Sequence, residues 1–250
     1  MQRNRFASGP TTLFLAFLMA LAIAPRSLAA SKYRILHYFP GMPDGGGVFA
    51  GLALAPNGNL YGGTTGGGTY GYGTVFELIP GSGGKWTENI LHSFCKDFPH
   101  CTDGASVWDT AALDSTGNLY GFSSAGVFKM TPKANGWSFK VIYSGREQGA
   151  IAPNDPADEC GLLPDGKGNL YSSCFSLGQN YRGAVGELSP GTHGWKERTL
   201  FDFCLHPRNG VCVGGNLPQY ALAWDTAGNL YGVTTEGGPG GYGVVFEITP

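Results

Sequence analysis

Beyond residue 44, apolar positions fall in short runs, each closed by glycine, proline or an Asp/Asn turn. No stretch repeats them at helical spacing, so the runs read as β-strands. Four such segments recur in a fixed order. Segment A is an apolar run entering a turn: Leu52-Ala53-Leu54, Ala111-Ala112-Leu113, Gly161-Leu162-Leu163 and Ala221-Leu222-Ala223. Segment B returns from that turn through one repeated phrase. It reads Gly58-Asn59-Leu60-Tyr61-Gly62 first, then 117–121, 168–172 (ending in Ser172) and 228–232. Segment C covers 74–80, 127–132, 185–190 and 245–250, closed each time by a proline that cannot donate to a ladder. Segment D follows a turn bearing Trp86, Trp137 or Trp195 and covers 89–94, 140–144 and 198–203.

The phrase tyrosines, Tyr61, Tyr120, Tyr171 and Tyr231, stand 59, 51 and 60 residues apart, the period of a repeat architecture. Four β segments in four units predict an all-β fold, a β-propeller of four blades with four antiparallel strands each. The units cover about 45–94, 104–145, 155–203 and 214–250 within a single domain, 30–250. The last unit lacks a segment D, while Ile35-Leu36-His37-Tyr38-Phe39 matches Ile90-Leu91-His92-Ser93-Phe94. Residues 32–39 are therefore expected to complete the last blade and cover its open edge. A fragment of a longer array is the other reading. An Asp with a following Gly, as in Asp114-Ser115-Thr116-Gly117-Asn118, suits a tight A–B turn and lacks the spacing of a calcium loop.

Composition adds a compartment. Arg3 and Arg5 precede an apolar run, 11–24, and Ser27-Leu28-Ala29 offers a cleavage site, so residues 1–29 read as a signal peptide. No later run could span a bilayer. The expected protein is secreted, extracellular or associated with the cell envelope. Glycine is abundant at 42 of 250 residues, and the net charge of −2 excludes broad attraction to nucleic acid. Six cysteines fall in close pairs, Cys95 with Cys101, Cys160 with Cys174 and Cys204 with Cys212, which an oxidising compartment favours as disulfides. His100 and His206 keep a metal reading in view, but zinc spacing is absent and no metal or cofactor is expected.

Two stretches, 58–78 and 228–248, closely resemble the GloVer-type tandem repeat of exported bacterial proteins. Phe94-Cys95 followed by Cys101-Thr102-Asp103-Gly104-Ala105 is similar to that family's inter-repeat segment. The resemblance covers essentially the whole chain after the signal. Repeat two loses the Gly-rich loop, and repeat three replaces it with 177–183. The resemblance implies an exported repeat protein and no particular reaction.

In a propeller the A–B and C–D turns share one face, and the B–C and D–A connections share the other. The first set is short and alike, the second variable, so the second is the expected binding face. Tyr70, Tyr72, Tyr181, Arg182, Arg208, Glu236 and Tyr242 lie there, a set suited to a glycan or a cell-surface protein, with Tyr72 and Tyr242 also readable as packing between blades. The chain is expected to be a monomer. His37 and His92 read as space-filling rings, and Glu77, Glu187 and Glu247 as exposed strand positions. A carbohydrate-active enzyme remains the alternative if Asp103, Asp109, Asp155, Asp158 and Glu159 converge. A purely structural repeat is the third reading.

Overall fold

The computed structural model describes residues 32–49, 51–109, 112–144, 160–175, 177–219 and 222–250. The expected signal peptide lies outside them. The chain divides into a unit Met1–Ile35 and a unit Leu36–Pro250. Of the first, only residues 32–35 are described, exposed and without a regular element. The second is an all-β, four-bladed β-propeller.

Blade 1 is the meander β2 (Ala53–Leu54), β3 (Leu60–Thr64), β5 (Thr74–Pro80) and β6 (Trp86–Ser93). Two small strands, β1 (Gly45–Gly46) and β4 (Gly66–Gly67), pair on its loop side. Blade 2 is β7 (Ala112–Leu113), β8 (Leu119–Ser123), β9 (Gly126–Lys133) and β10 (Gly136–Tyr143). Blade 3 is β11 (Cys160–Pro164), β12 (Leu170–Cys174), β13 (Ala184–Gly191) and β14 (Gly194–Asp202). Blade 4 holds β15 (Asn216–Pro218), β16 (Ala223–Trp224), β17 (Leu230–Glu236) and β18 (Val245–Ile248), with β15, β16 and β18 all on β17.

Cross-strand partners explain the repeated phrase. Its last glycine faces the phenylalanine of segment C, as Gly62 on Phe76, Gly121 on Phe128 and Gly232 on Phe246. A Cβ on those glycines would lie 2.6, 2.6 and 2.3 Å from the ring Cζ, too close for any side chain. Blade 3 reverses the pair, with Ser172 opposite Gly186. The departure from the phrase at Ser172 is thus compensated one strand away.

The asparagine and tyrosine of the phrase lock the A–B turn. Asp114 accepts from the backbone N–H and the side-chain amide of Asn118, and from the Tyr120 hydroxyl at 3.0 Å. Asp225 repeats this with Asn229 and Tyr231, and Asp165 with Asn169. Blade 1 carries Ala55 in place of that aspartate. Glu77 supplies the carboxylate instead, accepting from Asn59 at 2.6 Å and Tyr61 at 2.7 Å. Glu77 is therefore buried, unlike the exposed position expected of it, and Glu187 is tied to Arg198. Glu247 is exposed.

The core lies in the seams between blades. One buried cluster, with Val75, Phe94 and Phe128, joins blades 1 and 2. A second, with Tyr120, Val127 and Leu170, joins blades 2 and 3, and a third, with Tyr171, Val185 and Leu230, joins blades 3 and 4. No fourth cluster joins blade 4 to blade 1 among the described residues. Val75, Val127 and Val185 are fully buried, whereas the equivalent Val245 is 79% exposed.

Residues 32–39, expected to complete the last blade, are described without a regular element. Among the described residues, β18 is bonded to β17 alone. Phe39 sits on Phe76 of blade 1 at 4.9 Å, as Phe94 sits on Phe128 and Phe203 on Phe246. It thus meets blade 1 as segment D of any blade meets the next.

All three expected disulfides form: Cys95–Cys101, Cys160–Cys174 and Cys204–Cys212. They are consistent with an extracellular protein. No helix of the described residues is long and apolar enough to cross a membrane.

Candidate functional site

The loop-face residues singled out in the sequence come from repeats one, three and four, and Arg182 and Glu236 both bond to β15. Tyr72 is half-buried, stacked on Phe98 at 5.6 Å and packed on the seam of blades 1 and 2, while Tyr70 beside it is partly exposed. Tyr181 is exposed with a left-handed backbone, and exposed Arg182 offers its carbonyl to Leu217 N–H. Arg208 is exposed within the Cys204–Cys212 loop, bridged to Val211. Glu236 accepts from Asn216, and Tyr242 is 95% exposed. A cavity of about 550 Å³ beside that disulfide loop is lined by Gln179, Phe201, Leu205 and His206, and by none of these seven residues. Asp103 is committed to the His92 ring and to Cys95 N–H, so it is no free acid. Asp155, Asp158 and Glu159 lie outside the described residues.

The opposite face, which carries the A–B turns, holds two clefts at the seams. One, of about 310 Å³, lies between blades 2 and 3 and is lined by Asp114, Tyr120, Lys129, Lys167 and Trp195. The other, of about 700 Å³, lies between blades 3 and 4 and is lined by Asp165, Lys167, Tyr171, Arg198, Trp224 and Asp225. Tyr171 packs edge-on against Trp224 at 4.7 Å. Burial first, then the charges of Glu187 and Asp165, push the Tyr171 hydroxyl up to about 12, so it remains a donor near neutrality. Hydrogen bonds from Asn229 outweigh desolvation at Asp225 and hold it below the usual carboxylate range. The Trp224 indole N–H is buried without a partner among the described residues. A buried donor of this kind costs about 1–3 kcal/mol until something accepts from it. The cleft thus combines an aromatic wall, cations from Arg198 and Lys167, and carboxylates.

This second site was missed because segment spacing does not show which residues flank a seam. Tyr171 and Trp224 belong to different repeats, and the repetition of their turns reads as pure construction. One signal was available: Lys167 stands in the A–B turn of repeat three where the other repeats carry the neutral Asn57, Thr116 and Ala227.

A histidine–carboxylate cluster lies on the outer edge of blade 1. The ligand atoms of His37, Asp44 and Glu88 fall within 4.8 Å of one another. Burial, then hydrogen bonding to Asp44, pushes the Glu88 carboxyl up to about 8. Asp44 is held low despite its burial, by hydrogen bonds from Glu88, Gly45 N–H and His37. One proton is thus shared by two carboxyls, with Glu88 its carrier near neutrality. The pair His92–Asp103 repeats this at the next seam, where Phe139 stacks on the histidine at 4.0 Å in the place of Glu88. Both histidines therefore do more than fill space, and each is held by an aspartate that opens an Asp-Gly turn.

Glu88 predicts a pH dependence. Its folded pKa lies above the unfolded value of 4.5, so the folded state binds the proton more tightly. Stability contributed by Glu88 is complete below 4.5 and is lost as pH rises towards about 8. Thermal unfolding from pH 5 to 8.5 should show a falling Tm, flattened in Glu88→Gln, which mimics the protonated acid. An identical slope in the variant would refute the shared proton.

No family model matches this chain, and no curated protein matches it. Among solved structures, the chain is similar to a crystal structure of an oxidoreductase described as a glucose dehydrogenase, from Thermus thermophilus. The identity is 15%, the TM-score 0.33, and the match covers 87% of this chain and 86% of the other.

Proposed function

We propose that the protein is an exported, non-catalytic propeller of the GloVer-type repeat class that binds a glycan in the cleft between blades 3 and 4. The observation that carries this reading is the roughly 700 Å³ cleft in which Trp224 and Tyr171 stand beside Arg198 and Lys167. Sugar rings present apolar C–H faces to aromatic walls and hydroxyls to surrounding donors and acceptors, and the Trp224 N–H is a donor still to be matched. The two cations favour a glycan bearing carboxylates, since charge-assisted bonds to Arg and Lys are the strong ones. The site stands on the face carrying the A–B turns and replaces the loop face as the first candidate.

The test is a glycan array with the exported protein, followed by calorimetry on any hit. Arg198→Ala combined with Lys167→Ala should weaken binding by about tenfold or more, the scale of one lost charged hydrogen bond. Arg208→Ala and Tyr181→Ala should leave the affinity unchanged. The reverse pattern would return the site to the loop face, and silence across the array would remove the carbohydrate reading.

A further inference from the structure

The His–Asp pair is a building device used twice in this fold, and one of the two copies carries an extra group. Between blades 1 and 2, His92 Nε2 lies 2.9 Å from Asp103 Oδ2, while Asp103 Oδ1 accepts from Cys95 N–H. Phe139, on the next segment D, completes that arrangement by stacking on the His92 ring. Ahead of blade 1, His37 Nε2 lies 3.1 Å from Asp44 Oδ2, and Asp44 Oδ1 accepts from Gly45 N–H. The frame is the same, but its third place holds Glu88. In strand register Glu88 opposes Leu78 as Phe139 opposes Met130, so the two occupy one repeated position. Where blade 2 supplies a ring to that position, blade 1 supplies a carboxylate.

That carboxylate is in an unfavourable place for packing alone. The side chains of His37, Asp44 and Glu88 are only 19, 17 and 11% exposed, so two acids are brought out of water beside one imidazole. No lysine or arginine pairs with either acid among the described residues. Glu88 Oε1 is buried and has no hydrogen-bond partner among them. Buried carboxylates are normally matched by a cation, a donor or a metal ion, and an orphaned oxygen marks the position where one is still owed. The spacing of the donor atoms says which. Bonds of about 2.0–2.2 Å at tetrahedral angles hold ligand atoms about 3.3–3.6 Å apart. His37 Nε2 stands 3.1 Å from Asp44 Oδ2 and 3.7 Å from Glu88 Oε2, and the donor atoms of all three fall within 4.8 Å. One imidazole nitrogen among carboxylate oxygens suits zinc and its neighbours, whereas magnesium and calcium prefer oxygen alone.

We propose that His37, Asp44 and Glu88 bind a divalent cation of the zinc class, which fastens residues 37–44 to strand β6 of blade 1. Three protein ligands leave the fourth tetrahedral position to water. The charge of the ion balances the two carboxylates, a task that one shared proton performs without it, so metal and proton compete for the same oxygens. Gly45 N–H, bonded to Asp44 Oδ1 at 2.6 Å, orients that ligand from behind, and Phe39 packs edge-on against the His37 ring at 4.5 Å. The ligands come from the stretch ahead of blade 1 and from its outermost strand, so no short motif announces them. The histidines inside the disulfide loops, His100 and His206, are not part of this set.

The test strips the full chain with a chelator and titrates it with zinc chloride at neutral pH by calorimetry. One zinc ion per chain is expected, together with a melting temperature that rises with zinc and then saturates. Glu88→Gln keeps the shape of the protonated acid, and so the fold, while removing one ligand. It should weaken zinc binding by more than the roughly 10–100-fold that loss of an outer-shell partner costs, and abolish the thermal shift. Asp44→Asn should do the same. His100→Ala and His206→Ala, both at exposed positions, should bind zinc as the parent does. Magnesium and calcium chloride should produce neither heat nor shift. The proposal is overturned by a parent chain that binds no zinc, by zinc binding that survives Glu88→Gln, or by binding that is lost in His100→Ala or His206→Ala, since the ion would then sit on surface histidines. Binding of magnesium or calcium in place of zinc overturns it as well.

Discussion

Phe94→Ala is expected to lower the unfolding free energy by about 3–5 kcal/mol, the range for emptying a buried phenylalanine site. Phe94 is fully buried where blades 1 and 2 meet. Its ring touches three others, edge-on to His92 at 4.7 Å and to Phe139 at 5.6 Å, and tilted on Phe128 at 5.7 Å. Each aromatic pair adds about 0.5–1.5 kcal/mol beyond the area buried, so the loss belongs at the upper end of the range. Collapse around the void is hindered because Phe128 is itself wedged over Gly121, with no room for a Cβ beneath it. Urea denaturation extrapolated to water measures the difference, with an unchanged slope showing that the unfolded state is the same. Phe203→Ala, its counterpart between blades 3 and 4, should cost a similar amount. The two losses should add within about 0.5 kcal/mol, since the seams share no residue. A Phe94→Ala loss below about 1 kcal/mol would mean that the seam repacks and that the blades are not held by these rings.

The blades were legible in the sequence because each is a local event. Four strands in order, a turn aspartate bonded to Asn118 and Tyr120, and a glycine under Phe128 all involve residues within about one repeat of each other. Even the exceptions obey this logic, as when Glu77 replaces the turn carboxylate that Ala55 lacks, or Gly186 makes room for Ser172. The likeness of residues 35–39 to segment D was also real, and Phe39 packs on Phe76 as that likeness requires. What spacing did not show is which blade the other side of that segment would join. The candidate site escaped for the same reason. Tyr171 and Trp224 meet across a seam between repeats, and the repetition that revealed the architecture hid the surface it creates. Loop variability pointed to the other face, where the chosen tyrosines are spread over three blades.

Removing the Cys160–Cys174 bridge as the double variant Cys160→Ala/Cys174→Ala should cost about 2–4 kcal/mol. The bridge spans 14 residues and joins directly opposed positions at the far end of the β11–β12 hairpin. Closing a loop of that size in the unfolded chain accounts for about 3 kcal/mol in the chain-entropy model. The other two bridges span 6 and 8 residues, and the same model separates them from this one by less than about 1 kcal/mol. Burial makes the larger difference. Cys160 and Cys174 both belong to the cluster that joins blades 2 and 3, beside Phe122 and Ala184. The double variant therefore loses apolar contacts as well as the crosslink, whereas Cys101, Cys204 and Cys212 are only partly buried. Thermal unfolding of the three double-alanine variants should rank this one lowest, with Cys95→Ala/Cys101→Ala and Cys204→Ala/Cys212→Ala closer to the parent. Reducing the parent protein should reproduce the drop, and the variant should no longer respond at this site. A Cys160→Ala/Cys174→Ala chain as stable as the parent would show that hairpin pairing and seam packing already hold blade 3 without its staple.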